Sequence, residues 1–257
     1  MLNTFFCDRT MPIGVFDSGV GGISVLKKLI ERLPSESYIY YSDRNNAPYG
    51  KLSENEISEY TTSAVNKLIS LGCKAIVIAC NTATAVAAER LRAKNSIPII
   101  GIEPALRPAE AAFPNGSILL LATPVTLRGS KFQSLYRLIE RGNVTCVSAP
   151  ELVRFVESGR ANGLEAISYL KALLADHAAA RFDACVLGCT HFPFAKRAVC
   201  AALGYEPCFF DGADGAARRL EAELKRYSIE NTATEKGVVF WNEIYPAELQ
   251  NKLMNSK

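Results

Sequence analysis

Two cysteines, Cys80 and Cys189, are the residues of this 257-residue chain whose type and setting best suit chemistry. Each directly follows a run of apolar residues, in AIVIACNTAT and ACVLGCTHFP, and each precedes a segment that is expected to enter a helix. A helix N-terminus lowers the pKa of a thiol toward neutrality, which makes a reactive thiolate accessible. We therefore expect both thiols to be reactive. The alternative for each is a buried cysteine that packs as a small hydrophobic side chain.

Two further residues are candidates to assist Cys189. His191 lies two positions beyond it and could orient the thiol or accept its proton, since the pKa of an unperturbed histidine is about 6.5. Glu157, in ELVRFVESG, could hold such a histidine. The alternatives are a packing or capping role for His191 and a solvated side chain for Glu157. His177 lies in an alanine-rich segment, and we expect it only to pack or to face solvent.

A glycine-rich segment, DSGVGG, begins at Asp17, directly after an apolar run. It does not complete a dinucleotide pattern, because Ser24 stands where the third glycine would fall, and no Lys-Ser/Thr pair follows to make a phosphate loop. We expect a tight turn whose backbone N–H groups, at a helix N-terminus, face an anion such as a carboxylate. Asp17 would then face an ammonium group. The alternative is that Asp17 caps the helix.

The segment DRNNAPYG, from Asp43 to Gly50, is rich in residues that form turns. It is either a substrate-facing loop that carries Tyr49 or an ordinary surface loop. Spacing does not distinguish these two interpretations.

These residues require elements that bring them together. Short apolar runs alternate with longer amphipathic stretches, which predicts an α/β fold with parallel sheets, and ligands of such sheets bind at the carboxyl ends of the strands. The strands are predicted at 13–16, 38–41, 75–79, 99–102, 118–122 and 184–187. The helices are predicted at 23–33, 54–71, 84–93 and 164–180. The likeness of the two cysteine segments suggests two α/β halves, with a boundary near Glu103 and Pro104.

Composition excludes several classes of protein. The net charge is +3 without a basic stripe, so nucleic-acid binding has no support. The longest apolar runs, 75–80 and 198–203, are too short to cross a membrane, and the first residues lack the apolar core of a signal peptide, so we expect a cytoplasmic protein. The eight cysteines include no Cys-x-x-Cys and are accompanied by two histidines, so we expect free thiols rather than disulfides or structural zinc.

Six segments occur in the order found in a known family: IGVFDSGVGG, YYSDRNNAPYG, ACNTAT, GIEPA, LATPVTLRGSKF and LGCTHFP. From about residue 12 to the C-terminal region, the chain resembles the glutamate racemases of the cofactor-independent aspartate/glutamate racemase superfamily. The resemblance implies two similar α/β domains, formed by 1–103 with 213–257 and by 104–212, with the active site between them. It implies glutamate as substrate, no cofactor and no metal, no nucleic-acid or membrane partner, and allows a homodimer.

The resemblance also implies roles for individual residues. Cys80 and Cys189 would be the two acid/base residues, with Asp17 assisting Cys80 and His191 assisting Cys189. Glu157 would support the histidine. The implied substrate site consists of residues from each of the segments: Asp17, Ser18, Tyr49, Gly50, Asn81, Thr82, Thr123, Thr126, Thr190 and His191.

Three other functions compete with this one. An aspartate or hydantoin racemase would keep both thiols, and no single residue distinguishes glutamate from aspartate. A cysteine hydrolase would use Cys189 with His191 to form an acyl-enzyme and would leave Cys80 without a role. A binding module for an acidic amino acid would use neither thiol chemically.

Overall fold

The computed structural model describes residues 8–137, 139, 143–232, 237–241 and 247–256. Strands alternate with helices along these ranges, which confirms the predicted α/β class. The strands are β1 (Ile13–Asp17), β2 (Tyr38–Ser42), β3 (Ala75–Ile78), β4 (Ile99–Gly101), β5 (Ser117–Ala122), β6 (Asn143–Ser148), β7 (Ala184–Gly188), β8 (Cys208–Asp211) and β9 (Val238–Trp241).

The helices lie between these strands and after the last of them. They are α1 (Ile23–Arg32), α2 (Glu54–Ser70), α3 (Asn81–Lys94), α4 (Leu106–Ala112), α5 (Pro124–Arg128), α6 (Ser130–Arg137), α7 (Pro150–Glu157), α8 (Leu164–Leu173), α9 (Lys196–Leu203), α10 (Ala213–Tyr227) and α11 (Ala247–Met254). Single 3-10 turns occupy Arg44–Asn46, Tyr49–Lys51, Ala175–His177 and Phe192–Ala195.

The strands form two sheets in which every described pair is parallel. The first sheet has the order β4-β3-β1-β2-β9, and the second has the order β6-β5-β7-β8. The inner strands β1, β3 and β7 are buried along their whole length, as expected for parallel strands covered by helices on both faces. Helix α1 packs on α10 and α11, and α2 packs on α3.

Strand register determines which loop residues become neighbours. Phe16 of β1 pairs with Ile78 of β3, so the segments that begin at Asp17 and at Ala79 leave the first sheet side by side. Ala122 of β5 pairs with Gly188 of β7, so Thr123 and Cys189 leave the second sheet side by side. In each sheet, the candidate site residues therefore lie at the carboxyl ends of the strands, as predicted. We call this side of a sheet its carboxyl edge.

All six predicted strands are present, with ends that differ from the prediction by at most one residue. The three strands that were not predicted, β6, β8 and β9, each lie at an edge of a sheet. Edge strands are partly exposed, and β6 (NVTCVS) and β8 (CFFD) accordingly mix polar with apolar residues. In β8, for example, Cys208 is exposed and the other three residues are half-buried. Strand β9 (VVFW) is an apolar run that was not predicted as a strand.

Two predicted helix bounds are wrong. The helix predicted at 164–180 ends at Leu173, and His177 belongs to the separate turn Ala175–His177, where it is half-buried. The residues after it, 178–181, are exposed, so no apolar face continues the helix. The helix predicted to begin at residue 84 begins at Asn81, because Cys80 caps it.

The domain division into 1–103 with 213–257 and 104–212 stays a prediction. The strands of the first sheet all lie within the first of these sets, and those of the second sheet lie within 104–212. Among the described helices, none is both long enough and apolar enough to cross a membrane.

Candidate active site

The carboxyl edges of the two sheets face each other, and the predicted site residues meet there. Thr190, after β7, donates a hydrogen bond of 3.0 Å from Oγ1 to Oδ2 of Asp17, at the end of β1. The hydroxyl oxygens of Thr82, after β3, and Thr123, after β5, are 3.1 Å apart. Side chains that follow the two sheets therefore meet at two places, and one of these contacts joins residues 173 positions apart. We call these side chains, together with the neighbouring Cys80 and Cys189, the polar cluster.

Cys80 lies in this cluster and is 5% exposed. Its Sγ accepts a hydrogen bond from the backbone N–H of Ala83, at 3.5 Å, and so caps α3. Ser18 Oγ lies 3.6 Å from the same sulfur. Burial, followed by the negative charge of Asp17, raises the pKa of the Cys80 thiol to about 12, although the hydrogen bonds from Ala83 and Ser18 act in the opposite direction. The predicted lowering of the pKa is therefore wrong for Cys80, which is a protonated thiol at neutral pH.

Cys189 is 8% exposed and lies beside His191. The Nδ1 atom of His191 is 3.6 Å from Sγ of Cys189, and its Nε2 is 2.5 Å from Oε1 of Glu157. Burial by itself lowers the pKa of His191, but the contacts with Cys189 and with the Glu157 carboxylate outweigh burial and raise that pKa well above its usual value. With Nε2–H donated to Glu157, Nδ1 is the nitrogen placed to exchange a proton with the thiol.

The glycine-rich turn accommodates this histidine. A Cβ atom on Gly21 would lie 2.3 Å from Nδ1 of His191, and one on Gly19 would lie 2.0 Å from Oε1 of Glu157. A side chain at position 21 would displace the imidazole, whereas one at position 19 would turn the end of the flexible Glu157 side chain away from His191. The two glycines therefore leave room for His191 and Glu157, both of which come from the second-sheet part of the chain.

The N–H groups of this turn are used differently from the prediction. Gly19 N–H donates to Oδ1 of Asp17 at 2.8 Å, and Val20 N–H donates to Oε1 of Glu157 at 3.0 Å. For these two N–H groups the expectation of a bound anion is wrong, because carboxylates of the protein itself accept their hydrogen bonds. One of the two, Glu157, also holds His191, so its predicted supporting position is where the structure places it.

Asp17 is fully buried at the end of β1. Burial raises the pKa of its carboxyl to about 6, against the opposing effects of His191 and of the hydrogen bonds from Gly19 and Thr190. The alternative of a helix cap is wrong, since α1 is preceded by Gly22 and has no side-chain cap. Within the described ranges, no hydrogen bond joins Asp17 to Cys80 directly. The residue that lies against that sulfur is Ser18.

Three threonine hydroxyls and one amide complete the cluster. Thr123 and Thr126 Oγ1 are 3.0 Å apart, and both lie within 3.5 Å of Oγ1 of Thr82. Asn81, which precedes Thr82, is also buried, and its Oδ1 has no hydrogen-bond partner among the described residues. A buried amide oxygen without a partner is costly, so Asn81 retains hydrogen-bonding capacity for a bound molecule.

The loop that carries Tyr49 reaches the second-sheet part of the chain. A Cβ atom on Gly50 would lie 3.4 Å from Cβ of Thr123. Tyr49 is buried, and its hydroxyl donates a hydrogen bond of 2.6 Å to Oδ2 of Asp43. Burial raises the pKa of the Tyr49 phenol well above its usual value. A direct contact between Tyr49 and a substrate stays a prediction.

Two contacts at the site were not predicted. Tyr40 donates a hydrogen bond of 2.6 Å to the backbone oxygen of Gly19, and Ser24 Oγ donates one of 2.9 Å to the backbone oxygen of Thr190. A tyrosine within an apolar strand is normally interpreted as a core residue, and a serine early in a helix follows no distinctive pattern. Neither contact could therefore be predicted from the sequence alone. In the part of the chain that the structure describes, no group of three or more His, Cys, Asp or Glu side chains is arranged to hold a metal ion.

Comparisons with known proteins identify the family of this chain. A model of the Asp/Glu/Hydantoin racemase family matches residues 13–220. The glutamate racemase of Clostridium acetobutylicum is 44% identical over 233 residues, which cover 90% of this chain and 91% of that protein. The crystal structure of Escherichia coli glutamate racemase in complex with L-glutamate and the activator UDP-MurNAc-ala has a TM-score of 0.80 at 30% identity, covering 93% of this chain and 92% of that one.

A second solved structure gives the same result. Glutamate racemase from Francisella tularensis in complex with D-glutamate has a TM-score of 0.81 at 26% identity, covering 97% of this chain and 95% of that one. A family match over most of the chain, together with relatives of this identity and coverage, shows where the chain belongs. It is a member of the Asp/Glu/Hydantoin racemase family.

Proposed function

We propose that this protein is a glutamate racemase, an isomerase that interconverts L-glutamate and D-glutamate with two cysteines and no cofactor. The observation that carries the proposal is the pair of buried thiols, Cys80 and Cys189, that follow strands of different sheets and lie close enough that, after burial, the charge of Cys189 also raises the pKa of Cys80. The curated relatives named as glutamate racemases, and the related structures that contain L-glutamate or D-glutamate, support the choice of substrate.

The chemistry requires a proton to leave one face of the α-carbon and another to arrive on the opposite face. A single base would tend to return the proton to the face from which it came. With two thiols on opposite faces, a thiolate removes the α-proton, the electron pair is held on the α-carbon and its carboxylate, and the opposing thiol delivers its own proton. The first cysteine ends as a thiol and the second as a thiolate, so the next turnover can run in reverse.

The surroundings of the thiols suit unequal starting states. His191 Nδ1, 3.6 Å from Sγ of Cys189, can take the thiol proton while Glu157 holds the resulting imidazolium. Cys80, with its pKa raised to about 12, starts as the proton donor. Asp17 assists Cys80 in this role as proton donor, because its nearby charge favours the thiol, and Ser18 is the residue that lies against the sulfur.

The remaining cluster would bind the amino acid. We assign the side chains of Asn81, Thr82 and Thr190 to stabilise the charge that develops on the α-carboxylate, because preorganised donors in a buried site are effective at this task. Asn81 would donate through Nδ2, and the Thr190 hydroxyl would turn to the substrate from Asp17, to which it donates in this structure. We also assign to the substrate site the other residues predicted for it: Asp17, Ser18, Tyr49, Gly50, Thr123, Thr126 and His191.

The test is incubation with L-glutamate in D₂O without added cofactor. Loss of optical rotation reports racemisation, and loss of the α-proton NMR signal reports exchange with solvent. Cys80→Ser and Cys189→Ser are measured beside the wild type, with Cys208→Ser as the matched control, because Cys208 is exposed and lies in the edge strand β8. We expect the control to match the wild type and each active-site variant to lose at least about 100-fold in racemisation rate, as expected for removal of a general acid or base.

The other candidate functions give different results in the same experiment. Exchange with aspartate but not glutamate would overturn the choice of substrate. A covalent adduct on Cys189 without α-proton exchange would favour a hydrolase. Binding of an acidic amino acid that survives both cysteine substitutions, without exchange, would favour a binding module.

The cellular role that we propose is supply of D-glutamate for peptidoglycan, and hence for cell wall biogenesis and cell shape, in the cytoplasm. Complementation of a bacterial strain that requires D-glutamate tests this role. Failure of an active protein to complement would overturn it. A homodimer stays a prediction that sedimentation analysis tests.

A further inference from the structure

Tyr40 lies on β2 and is 2% exposed. Its ring packs against the ring of Phe240 in β9, with the centroids 5.5 Å apart. The hydroxyl extends beyond this packing and donates a hydrogen bond of 2.6 Å to the backbone oxygen of Gly19. A Cβ atom on Gly22 would lie 2.9 Å from that hydroxyl, so glycine at position 22 leaves room for it.

The acceptor of this hydrogen bond belongs to the peptide that joins Gly19 to Val20. The N–H of the same peptide donates to Oε1 of Glu157 at 3.0 Å. A peptide unit is planar, and its C=O and N–H point in opposite directions. The hydroxyl that determines the direction of the Gly19 carbonyl therefore also determines the direction of the Val20 N–H.

The carboxylate at the far side of this peptide is the one that holds His191. Oε1 of Glu157 accepts both the Val20 N–H and the contact from Nε2 of His191, at 2.5 Å. Nδ1 of the same imidazole lies 3.6 Å from Sγ of Cys189. A continuous path of contacts thus runs from the phenol of Tyr40, in the first sheet, to the thiol of Cys189, after the second sheet.

We propose that Tyr40 is a positioning residue for the racemisation chemistry: its hydroxyl orients the Gly19–Val20 peptide so that Val20 N–H holds Glu157 against His191, and His191 against Cys189. Tyr40 itself touches neither thiol in the contacts that the structure describes. The inference rests on the proposed function, because it assigns the path to the proton transfer at Cys189. Without the hydroxyl, the Gly19–Val20 peptide is less well oriented, so the Val20 N–H holds the carboxylate less firmly and the contact with His191 is formed less often.

The test compares Tyr40→Phe with Tyr38→Phe. Tyr38 lies two positions earlier on β2, is 1% exposed, and donates its hydroxyl to the backbone oxygens of Leu29 and Leu33. Both variants remove one buried phenol oxygen from the same strand, but only Tyr40→Phe breaks the path. Glu157→Gln, alone and combined with Tyr40→Phe, shows whether Tyr40 acts through Glu157.

The first readout is the pKa of His191, followed by NMR of the imidazole. The chain has two histidines, so His177→Gln assigns the signals. The titratable groups that act on His191 are Glu157 on α7, Cys189 after β7 and Asp17 at the end of β1. This readout does not depend on activity, so it remains informative even if glutamate is not the substrate. The second readout is kcat/KM for glutamate.

We expect Tyr40→Phe to lower the pKa of His191 by about 1 and kcat/KM by about tenfold, the size expected for loss of one buried hydrogen bond. Tyr38→Phe should change neither quantity. Glu157→Gln should lower the same pKa further, and adding Tyr40→Phe to it should have no further effect.

The proposal is overturned if Tyr40→Phe leaves the pKa of His191 unchanged or raises it, or if its effect is fully retained in the Glu157→Gln background. If Tyr40→Phe does not fold, Phe240→Leu withdraws the ring against which Tyr40 packs and keeps the hydroxyl. It must then lower the pKa of His191, and an unchanged value would overturn the proposal. Absence of racemisation in the wild type would instead overturn the proposed function and leave the NMR result standing.

Discussion

At Cys80, burial and the helix N-terminus act on the same thiol in opposite directions. The cap on α3 and the contact with Ser18 favour the thiolate, but removal from water and the charge of Asp17 favour the thiol and raise its pKa to about 12. The sequence predicts the first effect from the position of Cys80 between strand and helix. It cannot predict the second, because the depth of burial depends on tertiary packing: Cys80 shares an apolar cluster with Val125, which follows a strand of the other sheet.

The raised pKa predicts how Cys80 reacts with iodoacetamide. Only the thiolate is alkylated, and below the pKa the thiolate fraction rises tenfold with each pH unit. In a Cys189→Ser background, we expect the alkylation rate of Cys80, followed by mass spectrometry, to rise about tenfold per pH unit between pH 7 and 10. The exposed Cys208 in the same sample reports that the reagent is active. A rate that levels off between pH 7 and 9 would contradict the raised pKa.

The raised pKa of Asp17 predicts that its charge lowers the stability of the folded protein although the activity requires it. Its pKa is about 6 in the folded protein and about 3.9 in an unfolded chain, so the folded state binds the proton more tightly. The contribution of Asp17 to stability is therefore fully present below about pH 4 and is lost as the pH rises through about 6. Above that pH the protein carries a buried charge that costs free energy.

Asp17→Asn removes this charge and retains an oxygen that can accept the Gly19 N–H. At pH 8 we expect the free energy of unfolding to rise by about 2 kcal/mol, with the gain shrinking as the pH falls from 6 to 4. Racemase activity should fall at the same time. Urea unfolding at several pH values, with activity assays, measures both. A variant that is less stable than the wild type at pH 8 would contradict the argument.

At the scale of elements, the sequence predicts the form of the turn between β1 and α1 well. It does not predict which side chains contact this turn. A strand, a glycine-rich turn and a helix all occur where they are expected. The partners of the turn, His191 and Glu157, lie more than 130 positions away in the chain, so no local pattern reveals them. The edge strands β6 and β8 were missed for a different reason, because partly exposed strands mix polar with apolar residues.

The close packing of His191 and Thr190 against this turn predicts the effect of a single added methyl group. In Gly21→Ala, the new Cβ would lie 2.3 Å from Nδ1 of His191 and 2.5 Å from Oγ1 of Thr190, both buried. The imidazole must move, and a displacement of about 1 Å costs about 100-fold in rate, so we expect kcat/KM to fall by about that factor. Gly215→Ala is the control, because Gly215 lies in α10 with no atom near the new methyl group.

The control should keep its activity and gain up to about 1 kcal/mol in the free energy of unfolding, since alanine favours a helix more than glycine does. Kinetics and urea unfolding of both variants provide the measurement. Wild-type kcat/KM in Gly21→Ala would mean that His191 does not need its observed position.

At the scale of the whole molecule, the chemistry lies at the carboxyl edge of the first sheet and a buried ion pair lies toward its amino edge. Lys74 precedes β3 and Glu36 precedes β2, and their side chains are 0% and 3% exposed. Nζ of Lys74 is 2.6 Å from Oε2 of Glu36 and also donates to the backbone oxygens of Arg9 and Ile229. One ammonium group thus joins segments near both ends of the described chain to the base of the sheet.

This arrangement predicts that stability and activity can be separated. Lys74→Met leaves the carboxylate of Glu36 buried without its cation, which we expect to cost about 3–5 kcal/mol in the free energy of unfolding. Adding Glu36→Gln removes the charge and keeps an acceptor for the N–H of Asn231, so the double variant should be more stable than Lys74→Met alone. Because neither residue contacts the cluster around Cys80 and Cys189, kcat/KM of the folded fraction should stay near the wild-type value in both variants.

Equal losses of stability in the single and double variants would show that the backbone contacts of Lys74, rather than its charge, hold these segments together. A selective loss of kcat/KM would show that the two edges of the sheet are coupled.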